Sequence, residues 1–135
     1  MIKLLDLLKS PILIVEGSQF GVLYHYTEEV NLENIIKSNT LQGPVSLTRS
    51  QDSFVKDWMG DVPIILLDKD KLRNTYKITP YRDYDGDGKF EDEMEERVNK
   101  DITNLNLYVI KVILPESNLK LESLLKEKNI QYEIK

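Results

Sequence analysis

Hydrophobic and polar positions along this chain mark most of its elements before anything else about it is considered. Val22-Leu23-Tyr24-His25-Tyr26-Thr27 is an aliphatic and aromatic run with polar residues at its end, the pattern of a buried strand. In Glu28 to Thr40, Leu32, Ile35 and Ile36 recur at helical spacing, with Thr27 or Asn31 as the residue expected to cap the start. Leu41-Gln42-Gly43-Pro44 reads as a loop. Val45 to Arg49 follows as a short strand, with Val45 and Leu47 facing the core and Ser46 and Thr48 sharing the other face. Val62 to Leu67 is almost continuously apolar, as a strand buried on both faces should be. Leu107 to Leu114 is a further strand, and Glu116 to Lys128 a helix with Leu119, Leu121, Leu124 and Leu125 directed inward. Ile130, Tyr132 and Ile134 alternate with polar residues and predict a last, half-buried strand.

The remaining segments carry weaker patterns. Ile2 to Leu8 predicts an N-terminal helix stopped at Ser10-Pro11, followed by Ile12 to Val15 as a strand or extended arm and a turn at Glu16-Gly17-Ser18. Gln51 to Gly60 places Phe54, Val55, Trp58 and Met59 at helix-like spacing. Asp68 to Asn74 reads as a short helix or turn with Leu72 inward, Tyr76 to Ile78 as a short strand, and Tyr81 to Gly88 as a loop. Glu91 to Asn99 reads as a helix, because Met94 and Val98 lie four apart and Glu93 can pair with Arg97. Read as extended chain instead, it puts Glu91, Glu93 and Glu95 on one face, with Glu96 pointing the other way. The sum is one α+β domain of six strands with helices between them: residues 1–20 form an N-terminal helix and arm, and 21–135 the core.

Composition narrows the classes. A chain of 135 residues with 41% hydrophobic and 30% charged positions can bury a real core. The longest apolar runs, Pro11 to Val15 and Val62 to Leu67, are far too short to span a bilayer, so no membrane role is expected. The start lacks a small-residue cleavage site, and the expected location is the cytoplasm. There is no cysteine, which excludes disulfides and thiolate metal sites. Net charge is −5, and eight acidic residues fall between Asp83 and Glu96 against Lys89 alone. Such a distribution argues against a general nucleic-acid surface, which needs clustered Lys and Arg, but not against a small anion held by one or two basic side chains.

Four constellations carry candidate chemistry. His25 is the one histidine, on a strand end with Tyr26 and Thr27, and without a second histidine it makes no ordinary zinc set. Ser46 and Thr48 align two hydroxyls, and Arg49 beyond them can fork onto a phosphate or carboxylate. Glu93 and Glu95, if extended, present paired carboxylates whose charges raise one another's pKa. Asp83-Tyr84-Asp85-Gly86-Asp87-Gly88-Lys89-Phe90 matches the first eight positions of a calcium loop, with Asp83, Asp85 and Asp87 as ligands. Its twelfth position is Met94 rather than a bidentate Glu.

Taken in order, Leu23 to Thr27, Asn31 to Ser38, Val45 to Arg49 and Glu93-Met94-Glu95-Glu96-Arg97 resemble the ADP-ribosyltransferase superfamily, in particular its small phage- or prophage-encoded members. The resemblance spans roughly residues 20 to 114. It implies a split mixed or antiparallel β-sheet whose cleft holds NAD, with peripheral helices. His25 would bind a ribose hydroxyl, with Tyr26 and Thr27 at the same end. Ser46 and Thr48 would line the nicotinamide-ribose wall, Arg49 would meet the pyrophosphate, and Glu95, or failing that Glu93, would be catalytic. The aromatic residue stacked on nicotinamide would be Tyr76, Tyr81 or Tyr84. The function implied is transfer of ADP-ribose from NAD to a protein or nucleic-acid acceptor, in a host cytoplasm where the gene is a phage's. The alternative is an inactive, virion-associated or other binding module on the same fold, with Ca2+ in the acidic loop.

Overall fold

The structure is a computed structural model that describes residues 21–49, 61–80 and 95–135. The expected N-terminal helix and arm, the helix at 51–60, and the acidic loop with Asp83, Asp85, Asp87 and Glu93 lie outside the described residues.

Among the described residues seven strands form one sheet: β1 Val22–Tyr26, β2 Val45–Thr48, β3 Ile64–Asp68, β4 Thr79–Pro80, β5 Glu95–Val98, β6 Val109–Leu114 and β7 Tyr132–Ile134. Their spatial order is β4-β5-β2-β1-β3-β6-β7. Every pairing is antiparallel except β6 with β7. Parallel neighbours need a crossover, and helix α3, Leu119–Glu127, supplies it. Helices α1, Glu29–Ser38, and α2, Lys69–Thr75, follow β1 and β3.

Strand alternation divides the core in two. Leu23, Leu47, Ile65, Leu67, Val98 and Val112 turn to one face, where Leu32 and Ile36 of α1, Leu72 of α2, and Leu121 and Leu125 of α3 close over them. Tyr24, Tyr26, Ile64, Leu66 and Ile113 form a second cluster on the opposite face. β3 is apolar on both sides for this reason, as its unbroken Ile-Ile-Leu-Leu run predicts.

The ladder is uneven. β1 and β3 pair through five registered residues, whereas β1 and β2 share one registered pair, Tyr24 with Thr48. Beyond it the two strands are joined by a side chain: His25 Nδ1 lies 2.9 Å from the Ser46 carbonyl.

The return from α1 to β2 is clamped. Asn39 ends α1 in the left-handed conformation (φ 56°) that Asn tolerates at a helix C-terminus. Its Oδ1 accepts from the Asn106 amide at 2.9 Å, and its Nδ2 donates to Asn106 Oδ1 at 2.7 Å. Leu41 and Ile102 exchange both backbone hydrogen bonds, at 2.9 and 2.8 Å. The Gly43 amide donates to Asp101 Oδ1 at 2.7 Å, and a Cβ on Gly43 would collide with the Lys100 carbonyl.

Several expectations need correction. The segment expected as a helix over 91–99 enters the sheet as β5 at Glu95–Val98, where the inward position opposite Leu47 is held by Glu96 rather than an apolar residue. The short strand falls at Thr79–Pro80 instead of Tyr76 to Ile78, because the Tyr76 amide closes α2 on Leu72 O at 2.7 Å. Neither Thr27 nor Asn31 caps α1. Glu28 occupies the cap position without a side-chain bond, while Thr27 is buried, its amide bonded to Pro63 O at 3.1 Å. Leu119 is 79% exposed and Ile134 43%, each at the rim of its element.

Candidate functional site

A cleft of about 760 Å³ opens between the end of β1, helix α1 and the loop into β2. His25 and Thr27 enter it from β1, Asn31 and Asn34 from α1, and Gln42 and Val45 from the loop and β2. The two asparagines lie three apart and so share one face of α1. The volume falls within the range usual for small-molecule sites.

His25 sets the electrostatics. Burial pushes its pKa below the ordinary 6.5, and the hydrogen bond to the Ser46 carbonyl opposes this with a smaller upward effect. At neutral pH the imidazole is therefore uncharged. A carbonyl oxygen can only accept, so the proton sits on Nδ1, and Nε2 is left as an acceptor. Such a group can receive a sugar hydroxyl. Lys37 also lines the cleft, but its Nζ holds Glu33 Oε2 at 2.8 Å. Glu33 also binds Lys120 at 3.1 Å, and the two hydrogen bonds, Lys37's first, hold its carboxyl below the usual 4.5.

The other expected site residues separate by strand parity. Thr48 stands opposite Tyr24, not His25, so Thr48 lies on the face that carries Tyr24 and Tyr26. Ser46 belongs to that face too and is exposed, while Thr48 is 2% exposed. Glu95 takes its place in β5 with its Cα opposite Thr48. The sheet therefore brings the three strands side by side. It does not bring His25, Ser46, Thr48 and Arg49 into one pocket, and the register gives Glu95 the Thr48 face rather than the face of His25.

Arg49 turns back to the core side, where its Nε meets Glu96 Oε2 at 3.1 Å. Lys69, the first residue of α2, reaches the same oxygen at 3.4 Å. Glu96 is 7% exposed, and this pair of cations offsets its burial. Tyr76, a candidate for stacking on nicotinamide, packs edge-on against Tyr108 at 6.0 Å, and its hydroxyl accepts from the Thr103 amide at 3.0 Å. Tyr81 and Tyr84 lie outside the described residues. Among the described residues no cluster of three or more His, Asp or Glu is placed to hold a metal.

Sequence reasoning missed Asn31, Asn34 and Gln42, whose polar character in a short helix and loop carries no special mark. It also missed Glu96 and Lys69, which only the register brings together. No protein-family model matches this chain, and no curated protein matches it either.

Proposed function

We propose that this chain is an NAD-dependent mono-ADP-ribosyltransferase acting on a protein or nucleic-acid target, one of the small phage- or prophage-encoded kind. The observation that supports this most is the strand order β5-β2-β1, which sets Glu95 opposite Thr48 and Thr48 opposite Tyr24, at register positions on the face of the sheet that carries Tyr24 rather than His25. The thin seam between β1 and β2, bridged by His25, stands for the split of the sheet in this reading. His25 Nε2 accepts a ribose hydroxyl of NAD. Cleavage of the nicotinamide–ribose bond develops positive charge on the sugar, as in glycoside hydrolysis. A carboxylate fixed near that charge lowers the barrier most where water is kept out, and Glu95 is assigned that role.

The assay is incubation with labelled NAD and a host lysate. Nicotinamide release with label on a macromolecule is the expected result. Neither transfer nor release, under conditions where NAD binding is demonstrated, overturns the proposal.

A second reading, a non-catalytic binding or virion-associated module on the same fold, has its own support. Arg49 is engaged by Glu96 rather than held toward a pyrophosphate, and the Ser46/Thr48 face is not the His25 face. Calorimetry separates the two: heat with NAD or ADP-ribose favours the enzyme, and none with either favours the module.

A further inference from the structure

We infer that Glu96 holds the register of β5 at its Leu47–Thr48 end, beyond the Leu41–Ile102 bridge and the Val45–Val98 pair, and thereby selects Glu95, rather than Glu93, to stand opposite Thr48. The catalytic meaning of that choice rests on the proposed function; the register itself does not.

The sequence leaves the register open. Residues 91–96 read Glu-Asp-Glu-Met-Glu-Glu, and acids at nearly every position give no apolar alternation to fix which side faces the core. In the observed pairing Val45 faces Val98, Leu47 faces Glu96 and Thr48 faces Glu95. A slip of two residues keeps every side chain on its own face. It would put Met94 opposite Leu47, Glu93 opposite Thr48 and Glu96 opposite Val45. At the Leu47 end the slipped pairing would exchange a carboxylate for a methionine, but it would also move Val98, 1% exposed, from its place opposite Val45. It would have to be absorbed before Ile102, whose bridge to Leu41 continues the observed register.

Charge decides against it. In the observed register the Glu96 carboxylate forms an ion pair with Arg49 Nε from the end of β2 and accepts a hydrogen bond from Lys69 Nζ at the start of α2. Lys69 is itself anchored beyond β1, its amide on Gly21 O at 2.9 Å, so the cluster spans four neighbouring strands of the sheet, from β5 to β3. Slipping would carry Glu96 away from both cations and leave it facing Val45, an uncompensated charge against an aliphatic side chain. Buried ion pairs contribute little net stability but discriminate strongly between arrangements, because breaking one strands a charge.

Disulfide trapping reads the register directly, since the chain has no cysteine of its own. Ser46 stands opposite Arg97 in the observed pairing and would stand opposite Glu95 in the slipped one. The pair Ser46→Cys with Arg97→Cys reports the first, and Ser46→Cys with Glu95→Cys the second. With Glu96 present the 46–97 crosslink should exceed the 46–95 crosslink by about tenfold or more. Adding Glu96→Gln should bring the two within about threefold. Lys69→Met, which removes one cation and leaves the carboxylate, should give an intermediate ratio and serves if the Gln variant does not fold. An unchanged preference for 46–97 in the folded variants overturns the inference. General loss of stability would lower both yields without changing their ratio. Where NAD cleavage is detected, Glu95→Gln should abolish it and Glu93→Gln retain it; the reverse also overturns the inference, while absence of cleavage in the parent protein bears on the proposed function alone.

Discussion

At the scale of single residues, His25 does two things with one proton. Its Nδ1–H closes the seam to Ser46, and its uncharged ring leaves Nε2 free to accept. Because burial lowers its folded-state pKa below 6.5, the unfolded chain takes up the proton first as pH falls. Stability is complete above pH 6.5, declines below it, and stops declining once pH passes the depressed folded-state value. The carboxyl pKa values of Glu33 and Glu122 are lowered too, below 4.5, so their contribution persists until more acid conditions. The melting temperature should therefore drop between pH 7 and 5 in the parent protein. In His25→Asn, whose amide still reaches toward the Ser46 carbonyl, the drop should flatten. A parallel decline in both proteins would show that His25 is not the group responsible. Glu95→Gln tests the chemistry: NAD affinity should persist while turnover falls by roughly two to three orders of magnitude, as when one preorganised electrostatic group is lost. Glu96, which the extended reading only points away from Glu95, is buried between Arg49 and Lys69, so Glu96→Gln should perturb the fold.

At the scale of elements, stability resides where loops are clamped and helices capped. Asn118 Oδ1 accepts from the Leu121 amide at 3.1 Å, and Glu122 Oε2 accepts from the Asn118 amide at 2.9 Å, closing the start of α3. Asn118→Ala should cost about 1 kcal/mol in chemical denaturation. Gly43→Ala should cost about 1–3 kcal/mol, because the added methyl must displace the Lys100 carbonyl. An unaffected midpoint for Gly43→Ala would mean that the loop yields freely. Legibility followed the same division. β1, α1, β2, β3 and β6 were readable because each has an apolar periodicity that its burial honours, and α3 and β7 were readable from theirs although Leu119 and Ile134 stay exposed at the rims. β5 was not, since its inward residue is a glutamate whose partners come from two other elements. The cleft was half readable: His25 and Thr27 were found, but which residue of β2 faces which residue of β1 is not written in either strand. That single offset placed Ser46 and Thr48 on the far face.

For the whole molecule, no helix among the described residues is long and apolar enough to cross a membrane. The acidic segment around Asp83, Asp85 and Asp87 can be tested as a unit. If these residues bind Ca2+, millimolar calcium should raise the melting temperature by mass action, at the weak end of the range for such loops. Identical curves in calcium and in chelator would exclude it. The outcome bears on the second reading more than on the first, because the proposed transfer uses none of these three carboxylates.

The uneven sheet also implies an order of assembly. β1 and β3 join through five registered pairs with apolar side chains on both faces, and β3 continues into β6. β5 instead meets β2 across the whole segment from Arg49 to Met94, and its outer neighbour β4 is two residues long. Closing a loop of that length costs entropy before any contact repays it. The β1-β3-β6 unit should therefore form first, and β5 should dock onto it late. In the native state the same hierarchy should appear as two tiers of amide exchange: Leu66 and Leu67 slow, limited by global unfolding, and Glu96 and Val98 fast, released by local detachment of β5. The strand bearing the proposed catalytic glutamate would then be able to leave and rejoin the sheet while the rest stays folded.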